Sequence, residues 1–235
     1  MVKAYNKRLN SDNVSLSWFW QTTQKATPTH CVLGGRYATK ESFVFKLIPL
    51  LFIFLITSCA STTPVINSSS PISIYGVTAW PPKSVSWAVM LATGYQYTIG
   101  SKGSNTHETT IINVSTFKLP DLKSDVEFLD YILKSRAATP VTGRFDNKKN
   151  SESLVPLNGA TCVKYSSLSV DKNAKTAEGN TTMFLESIGY NCQHPNNKSV
   201  GVNIEYSSRY FSATDESQLE SKSAELFSSV KFKEF

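Results

Sequence analysis

Ser115 and Lys118 have the S-x-x-K spacing of acyl-transfer enzymes, in which a lysine takes the proton of a nucleophilic serine. That chemistry needs the two side chains one helical turn apart, whereas residues 109–119 alternate as a strand does, which would place them on opposite faces. The same spacing recurs at Ser169 and Ser228, so it arises easily by chance. We therefore expect no serine catalysis and assign no catalytic residue.

His107 and Glu108 would begin an H-E-x-x-H zinc motif, but Ile111 occupies the position of the second histidine. His194 lies, like His107, in a turn-rich stretch, and we expect both side chains to be exposed to solvent on loops. The sequence contains no G-x-S-x-G, P-loop or G-x-G-x-x-G motif. It therefore predicts no metal site and no bound cofactor.

Cys59 is the cysteine whose sequence context is most specific. Residues 47–56 are an apolar run that follows Lys46 and is too short to span a bilayer, which takes about 20 residues. Its length suits the apolar region of a secretory signal, and Ile56-Thr57-Ser58-Cys59 follows it directly. This stretch resembles the lipobox of bacterial prolipoproteins. The resemblance implies cleavage between Ser58 and Cys59 and a covalent lipid on Cys59, which anchors the protein to a membrane.

The lipobox divides the chain into four segments. We interpret residues 44–58 as the signal peptide, with Val44 as the true start, and residues 1–43 as an upstream extension; a genuine long amino-terminal region is the alternative. Residues 59–71 are small and polar and are interpreted as a flexible tether. Residues 72–235 form one folded domain. Ala60-Ser61 lacks the aspartate that retains such lipoproteins in the inner membrane, so the resemblance implies the periplasmic face of the outer membrane in a host with two membranes.

The net charge of +6 would suggest a nucleic-acid partner if it belonged to the folded domain. Seven of the 24 Lys and Arg precede Cys59, against two of the 18 Asp and Glu. The chain from Cys59 onward is therefore nearly neutral, and no basic cluster with interleaved aromatic residues is found in it. We expect no nucleic-acid binding.

Cys162 and Cys192 are the two cysteines that follow Cys59. Secretion would place them in an oxidising compartment, and both fall in predicted strands. We predict a disulfide bond between them that joins neighbouring antiparallel strands; two reduced, buried thiols are the alternative.

The elements that position these residues are mainly strands, because apolar and polar residues alternate in several segments separated by turn-forming residues. Two helices interrupt them. Ser124 and Glu127 form a capping box at the start of the first, and the second begins near Thr214 or Asp215. The sequence thus predicts an α+β domain in which an antiparallel sheet of five or six strands packs against one helical layer, with one helix midway and one at the carboxyl end. Its apolar helix positions are Val126, Leu129, Ile132 and Leu133 in the first helix and Leu219, Leu226, Phe227 and Val230 in the second.

This order of elements is similar to that of the Mog1/PsbP-like group of small domains. Near the start of the domain stand three aromatic residues, Tyr75, Trp80 and Trp87. They are either a hydrophobic lid on the sheet or a binding surface for an envelope protein or glycan, since aromatic side chains anchor many interfaces. Our leading expectation is a lipid-anchored envelope module that binds or assembles a partner. The alternative is an envelope hydrolase whose site is assembled from scattered residues.

Overall fold

The structure is a computed structural model that describes residues 65–66, 70–103, 107–138, 143–176, 179–211 and 218–235. The proposed signal peptide and Cys59 lie outside these residues, as does the predicted start of the second helix. In the described part of the chain, no helix is both long and apolar enough to cross a bilayer.

Within these residues, strands dominate the domain and two helices accompany them. The helices are α1 (Asp125–Ala137) and α2 (Gln218–Ser229). The strands are β1 (Val65–Ile66), β2 (Ile72–Ile74), β3 (Val77–Ala79), β4 (Trp87–Ala92), β5 (Gln96–Lys102), β6 (Thr109–Lys118), β7 (Phe145–Leu157), β8 (Ala160–Thr176), β9 (Gly179–Gln193), β10 (Val200–Tyr210) and β11 (Lys231–Phe232).

Eight strands form one sheet in the order β1-β4-β5-β6-β10-β9-β8-β7, and a small sheet has the order β11-β3-β2. Every neighbouring pair in both sheets is antiparallel. The α+β class with an antiparallel sheet and two helices is therefore confirmed, but the main sheet has more strands than the five or six expected. Part of the excess is β1, which lies inside the segment interpreted as a tether and pairs with β4.

The two helices lie on opposite faces of the large sheet, which corrects the expected single helical layer. Cys162 and Val163 are neighbours on β8, so their side chains point to opposite faces. Cys162 belongs to the main apolar core with Leu226 of α2, whereas Val163 packs with Phe128 and Ile132 of α1.

The main core lies between the large sheet, α2 and the small sheet. Its largest fully buried side chain is Trp87, whose ring is edge-on to that of Tyr206 at 6.5 Å. The predicted disulfide bond is present in this core, where Cys162 and Cys192 are directly opposite each other on β8 and β9. Both cysteines are fully buried.

The predicted capping box begins α1, because the side chain of Ser124 accepts a hydrogen bond from the backbone N–H of Glu127. The carboxylate of Glu127 in turn accepts one from the backbone N–H of Lys123 at 2.7 Å. Val126, which was expected on the apolar side, is 67% exposed, and Phe128 takes the buried position instead. The apolar stripe of α1 is therefore rotated around the helix from the one that the sequence indicated.

Candidate functional site

Three exposed aromatic rings meet at one end of the domain, and we call them the aromatic patch: Tyr75, Tyr95 and Phe235. Their exposed fractions are 48%, 66% and 52%, which are high for large apolar side chains. The ring of Tyr75 lies 5.8 Å from that of Tyr95 and 4.8 Å from that of Phe235, measured between centroids. The three residues come from the β2–β3 turn, the β4–β5 turn and the segment after β11. The patch is therefore assembled by the fold and cannot be read as a linear motif.

Backbone hydrogen bonds hold these turns together. The N–H of Tyr75 donates to the carbonyl of Gly94 at 2.9 Å, which joins the β2–β3 turn to the β4–β5 turn. The hydroxyl of Thr93 accepts from the N–H of Tyr95 at 3.2 Å and from that of Gln96 at 2.9 Å. The rings of Tyr75 and Tyr95 are thus presented on turns whose backbone positions are set by hydrogen bonds.

His194 lies beneath the patch and is fully buried, so its predicted exposure on a loop was wrong. Its ring lies 4.5 Å from that of Phe235. Its Nδ1 accepts from the N–H of Asn196 at 3.2 Å, which assigns the proton of a neutral ring to Nε2, and Nε2 then donates to the carbonyl of Gly76 at 2.9 Å. Both ring nitrogens are therefore engaged with the backbone, and His194 supports the patch from below.

Gly76 must be glycine at this place for two reasons. Its φ is +76°, a conformation that side-chain-bearing residues rarely adopt. An added Cβ would also lie 2.9 Å from the ring of Phe235 and 3.3 Å from that of His194. The missing side chain therefore lets the ring of Phe235 lie directly on the turn.

The two tryptophans expected near Tyr75 do not join the patch. Trp87 is fully buried, and its indole N–H donates to the carbonyl of Pro82 at 3.0 Å, so it cannot be part of a binding surface. Trp80 is half-buried beneath Lys231, whose ammonium lies 5.2 Å from the ring centroid. Only Tyr75 of the predicted surface is strongly exposed, and Tyr95 and Phe235 are residues that sequence reasoning missed.

A second group of side chains lies on the face of the large sheet that carries α1. These side chains form a continuous hydrogen-bonded row across the strands. We call it the polar ladder: Gln96, Thr98, Asn113, Asn203 and Asn191, from strands β5, β6, β10 and β9. Asn113 Oδ1 accepts from Thr98 at 2.9 Å and from Gln96 at 3.1 Å, and Asn113 Nδ2 donates to Asn203 at 3.4 Å. Asn203 Nδ2 donates to Asn191 at 3.1 Å. All but Gln96 are buried, so the amides satisfy one another.

Tyr165 and Glu205 extend the ladder towards α1. The hydroxyl of Tyr165 donates to Glu205 Oε2 at 2.7 Å and accepts from Asn203 Nδ2 at 3.1 Å. Gly189 stands between them on β9, and an added Cβ there would lie 2.5 Å from the tyrosine ring. The guanidinium of Arg136 covers the other side of that ring at 3.8 Å.

The environment of this pair changes both acidities. Burial raises the pKa of Glu205 above its ordinary 4.5, although the hydrogen bond from Tyr165 and the charge of Arg136 act in the opposite direction. Burial and the neighbouring Glu205 carboxylate raise the pKa of Tyr165 well above 10.0. A carboxyl with a raised pKa is the kind of group that general acid catalysis uses.

A hydrolase with paired carboxylates would need a second acid near Glu205. The acid in the same row of the sheet is Glu152, which stands three strands away on β7. Their backbones are therefore about 14 Å apart. The carboxylate of Glu152 is directed towards Arg136, with 3.4 Å between Oε1 and Nε. Glu152 is thus held in an ion pair with Arg136.

The remaining sequence candidates are scattered. Ser115 and Lys118 both lie on β6, a strand, so the helical spacing required by S-x-x-K is not met. His107 is half-buried with its ring edge-on to Phe211 at 5.9 Å. Ser58 and Cys59 lie outside the described residues.

No protein-family model and no curated protein matches the sequence. Among solved structures, the chain is similar to a protein from Bacteroides thetaiotaomicron VPI-5482, with a TM-score of 0.37 and 12% sequence identity. The match covers 68% of this chain and 46% of that one, so this chain spans less than half of that protein's length. A likeness at this TM-score carries no argument about fold or function.

Proposed function

We propose that the chain is a lipid-anchored protein of the cell envelope whose domain binds or helps to assemble another envelope component. The anchor is supported by the apolar run at residues 47–56 and the Ile56-Thr57-Ser58-Cys59 sequence that follows it. The disulfide bond between Cys162 and Cys192 is consistent with an oxidising compartment outside the cytoplasm. In a host with two membranes, the proposed location is the periplasmic face of the outer membrane.

The observation that carries the binding role is the aromatic patch. Exposed aromatic rings contribute large contact areas and lose little rotamer freedom when they bind, because only two torsions are fixed. Tyr75 and Tyr95 are held on hydrogen-bonded turns, so their backbone positions need not be ordered at the moment of binding. A preorganised apolar surface of this kind favours a binding role rather than a catalytic one at this end of the domain.

Glu205 favours a second candidate function, an envelope hydrolase. Its raised pKa and its contact with Tyr165 would suit an acid that donates a proton. The ion pair of Glu152 with Arg136 weighs against Glu152 as the second acid, so any such chemistry would rest on Glu205 alone. We regard this as the weaker proposal.

The anchor and the patch can be tested together in bacterial cells. The full chain would carry a photo-crosslinking benzoylphenylalanine in place of Tyr95, and a control chain would carry it in place of Lys102 at the other end of β5. Mass spectrometry of the purified protein should find a mature amino terminus at Cys59 with a diacylglycerol attached. Illumination should yield adducts with an envelope component from position 95 and not from position 102.

Each part of the proposal has its own contrary result. An uncut chain with an unmodified Cys59 would refute the lipid anchor. Equal adducts from positions 95 and 102 would refute the patch as the contact surface. If the Glu205→Gln variant lost the position-95 adducts, that result would favour the polar ladder as the functional site and the hydrolase as the function.

A further inference from the structure

Strand β1 determines where the chain leading back to Cys59 leaves the domain. It is antiparallel to β4, with Val65 opposite Ala88 and Ile66 opposite Trp87. Because residue numbers rise along β4 as they fall along β1, the amino-terminal end of β1 points towards Ala92. That end of β4 leads directly into the turn that carries Tyr95. The amino-terminal end of β1 therefore points towards the end of the domain where the aromatic patch lies.

The segment is also short. Cys59 stands six residues before Val65, and six residues span at most about 20 to 22 Å even when fully extended. The run from Ala88 to Ala92 along β4 accounts for about 13 Å in the direction of the patch. A lipid on Cys59 would thus hold the membrane surface within reach of Tyr75, Tyr95 and Phe235.

The chemistry of the patch suits the boundary of a bilayer. Tyrosine has an apolar ring and a polar hydroxyl, and such rings are enriched at the depth of the lipid headgroups. Lys233 and Glu234 stand next to Phe235 with opposite charges, and the ammonium of Lys233 donates to Ser73 at 2.6 Å. The surroundings are therefore close to neutral, and no particular requirement for anionic lipid is expected.

We propose that the aromatic patch rests in the headgroup region of the membrane that holds the lipid on Cys59. The contact orients the domain so that the β5–β6 end, with Lys102, points away from the bilayer. This inference rests on the proposed lipid anchor, because the anchor is what keeps the patch beside the membrane. It names the bilayer as the envelope component that the patch contacts.

The test uses the full chain, produced in bacteria, purified from membranes and reconstituted in vesicles of phosphatidylcholine and phosphatidylethanolamine. In a Cys31→Ser background, a polarity-sensitive fluorophore would be attached at Gly94→Cys or, as the matched control, at Lys102→Cys. An added Cβ at Gly94 meets no atom within 4 Å, so this substitution fits the turn. Position 102 is exposed and about 20 Å farther along β5.

Spin-labelled lipids carrying the quencher just below the headgroups should quench the fluorophore at position 94 several-fold more than that at position 102. The emission at position 94 should also shift to shorter wavelength. Combining Tyr75→Ser, Tyr95→Ser and Phe235→Ser should abolish both effects while the protein stays in the vesicle fraction, because the lipid on Cys59 is untouched. Adding anionic phosphatidylglycerol should leave the quenching unchanged.

The outcomes separate the two proposals. A diacylated Cys59 with equal quenching at both positions would overturn the bilayer contact and leave the anchor intact. An unmodified Cys59 would overturn the anchor and, with it, this inference. Adducts of one defined protein mass from the benzoylphenylalanine at position 95, in place of phospholipid adducts, would show that the patch binds a protein partner instead.

Discussion

The two faces of the large sheet are built from the same strands but are held together by different interactions. Along β10, Val202 and Ile204 point into the apolar core, while Asn203 and Glu205 point to the polar ladder and to Tyr165. The apolar face is stabilised by the burial of apolar surface, which is non-directional, and by close packing. The polar face depends on directed hydrogen bonds, each of which leaves a buried partner unsatisfied when it is broken. Substitutions on the two faces should therefore differ in how much stability they remove and in how that loss depends on pH.

The largest expected effect is on the apolar face. Replacing Trp87 by alanine removes a fully buried ring and its contact with Tyr206, and should lower the free energy of unfolding by about 3 to 5 kcal/mol. Denaturant unfolding of the purified protein would measure it. Tyr95→Ala, at a 66% exposed ring, is the control and should change stability by less than about 0.5 kcal/mol. Similar losses for the two variants would contradict the described core.

Asn203→Ala should have an intermediate effect through a different mechanism. It removes the donor to Tyr165 and Asn191 and the acceptor for Asn113, so buried polar groups lose a partner. We expect a loss of about 1 to 3 kcal/mol. Ser115→Ala, at the half-buried position paired with Asn203 on β6, should change stability by less than about 0.5 kcal/mol. If Asn203→Ala lost as much stability as Trp87→Ala, the expected difference between the two faces would be contradicted.

The smallest effect concerns Glu205 and depends on pH. Because its pKa is raised above 4.5 in the folded protein, the native state holds this proton more tightly than the unfolded chain does. The contribution of Glu205 to stability is therefore greatest below pH 4.5 and is lost as the pH rises through the raised value. Glu205→Gln cannot ionise and keeps an acceptor for Tyr165.

The Gln variant should accordingly gain stability relative to the wild type as the pH rises from about 4.5, by no more than about 1.4 kcal/mol per pH unit, the limit for one proton. Denaturant unfolding of both proteins over a series of pH values would measure this. A stability difference that stays constant with pH would show that Glu205 titrates as it does in the unfolded chain.

Local patterns predicted much of the fold. The alternation of apolar and polar residues in 184–190 and 202–206 indicated β9 and β10, and it placed Cys162 and Cys192 on neighbouring strands. The capping box at Ser124 indicated the start of α1. These features depend on residues close together in sequence or on a period that one strand displays by itself.

The missed features depend on partners far apart in the chain. Strand β7 is a polar edge strand, so alternation cannot reveal it. The aromatic patch needs two turns and the segment after β11 to meet. The link between Tyr165 and Glu205 needs two strands separated by β9. Only the fold brings these residues together, so neither the patch nor the ladder was visible beforehand.

The pairing of β11 with β3 has a consequence for the order of folding. Thr78, near the start of the domain, pairs with Lys231, near the end of the described chain. In the large sheet, β6 likewise pairs with β10, which is synthesised much later. Contacts between such distant residues form slowly, because a long loop must close before they stabilise anything. The large sheet cannot be completed until β10 has been synthesised, and the small sheet must wait for β11. The proposed signal peptide would require the chain to be exported before it folds. This late closure would keep the polypeptide unfolded while it crosses the membrane.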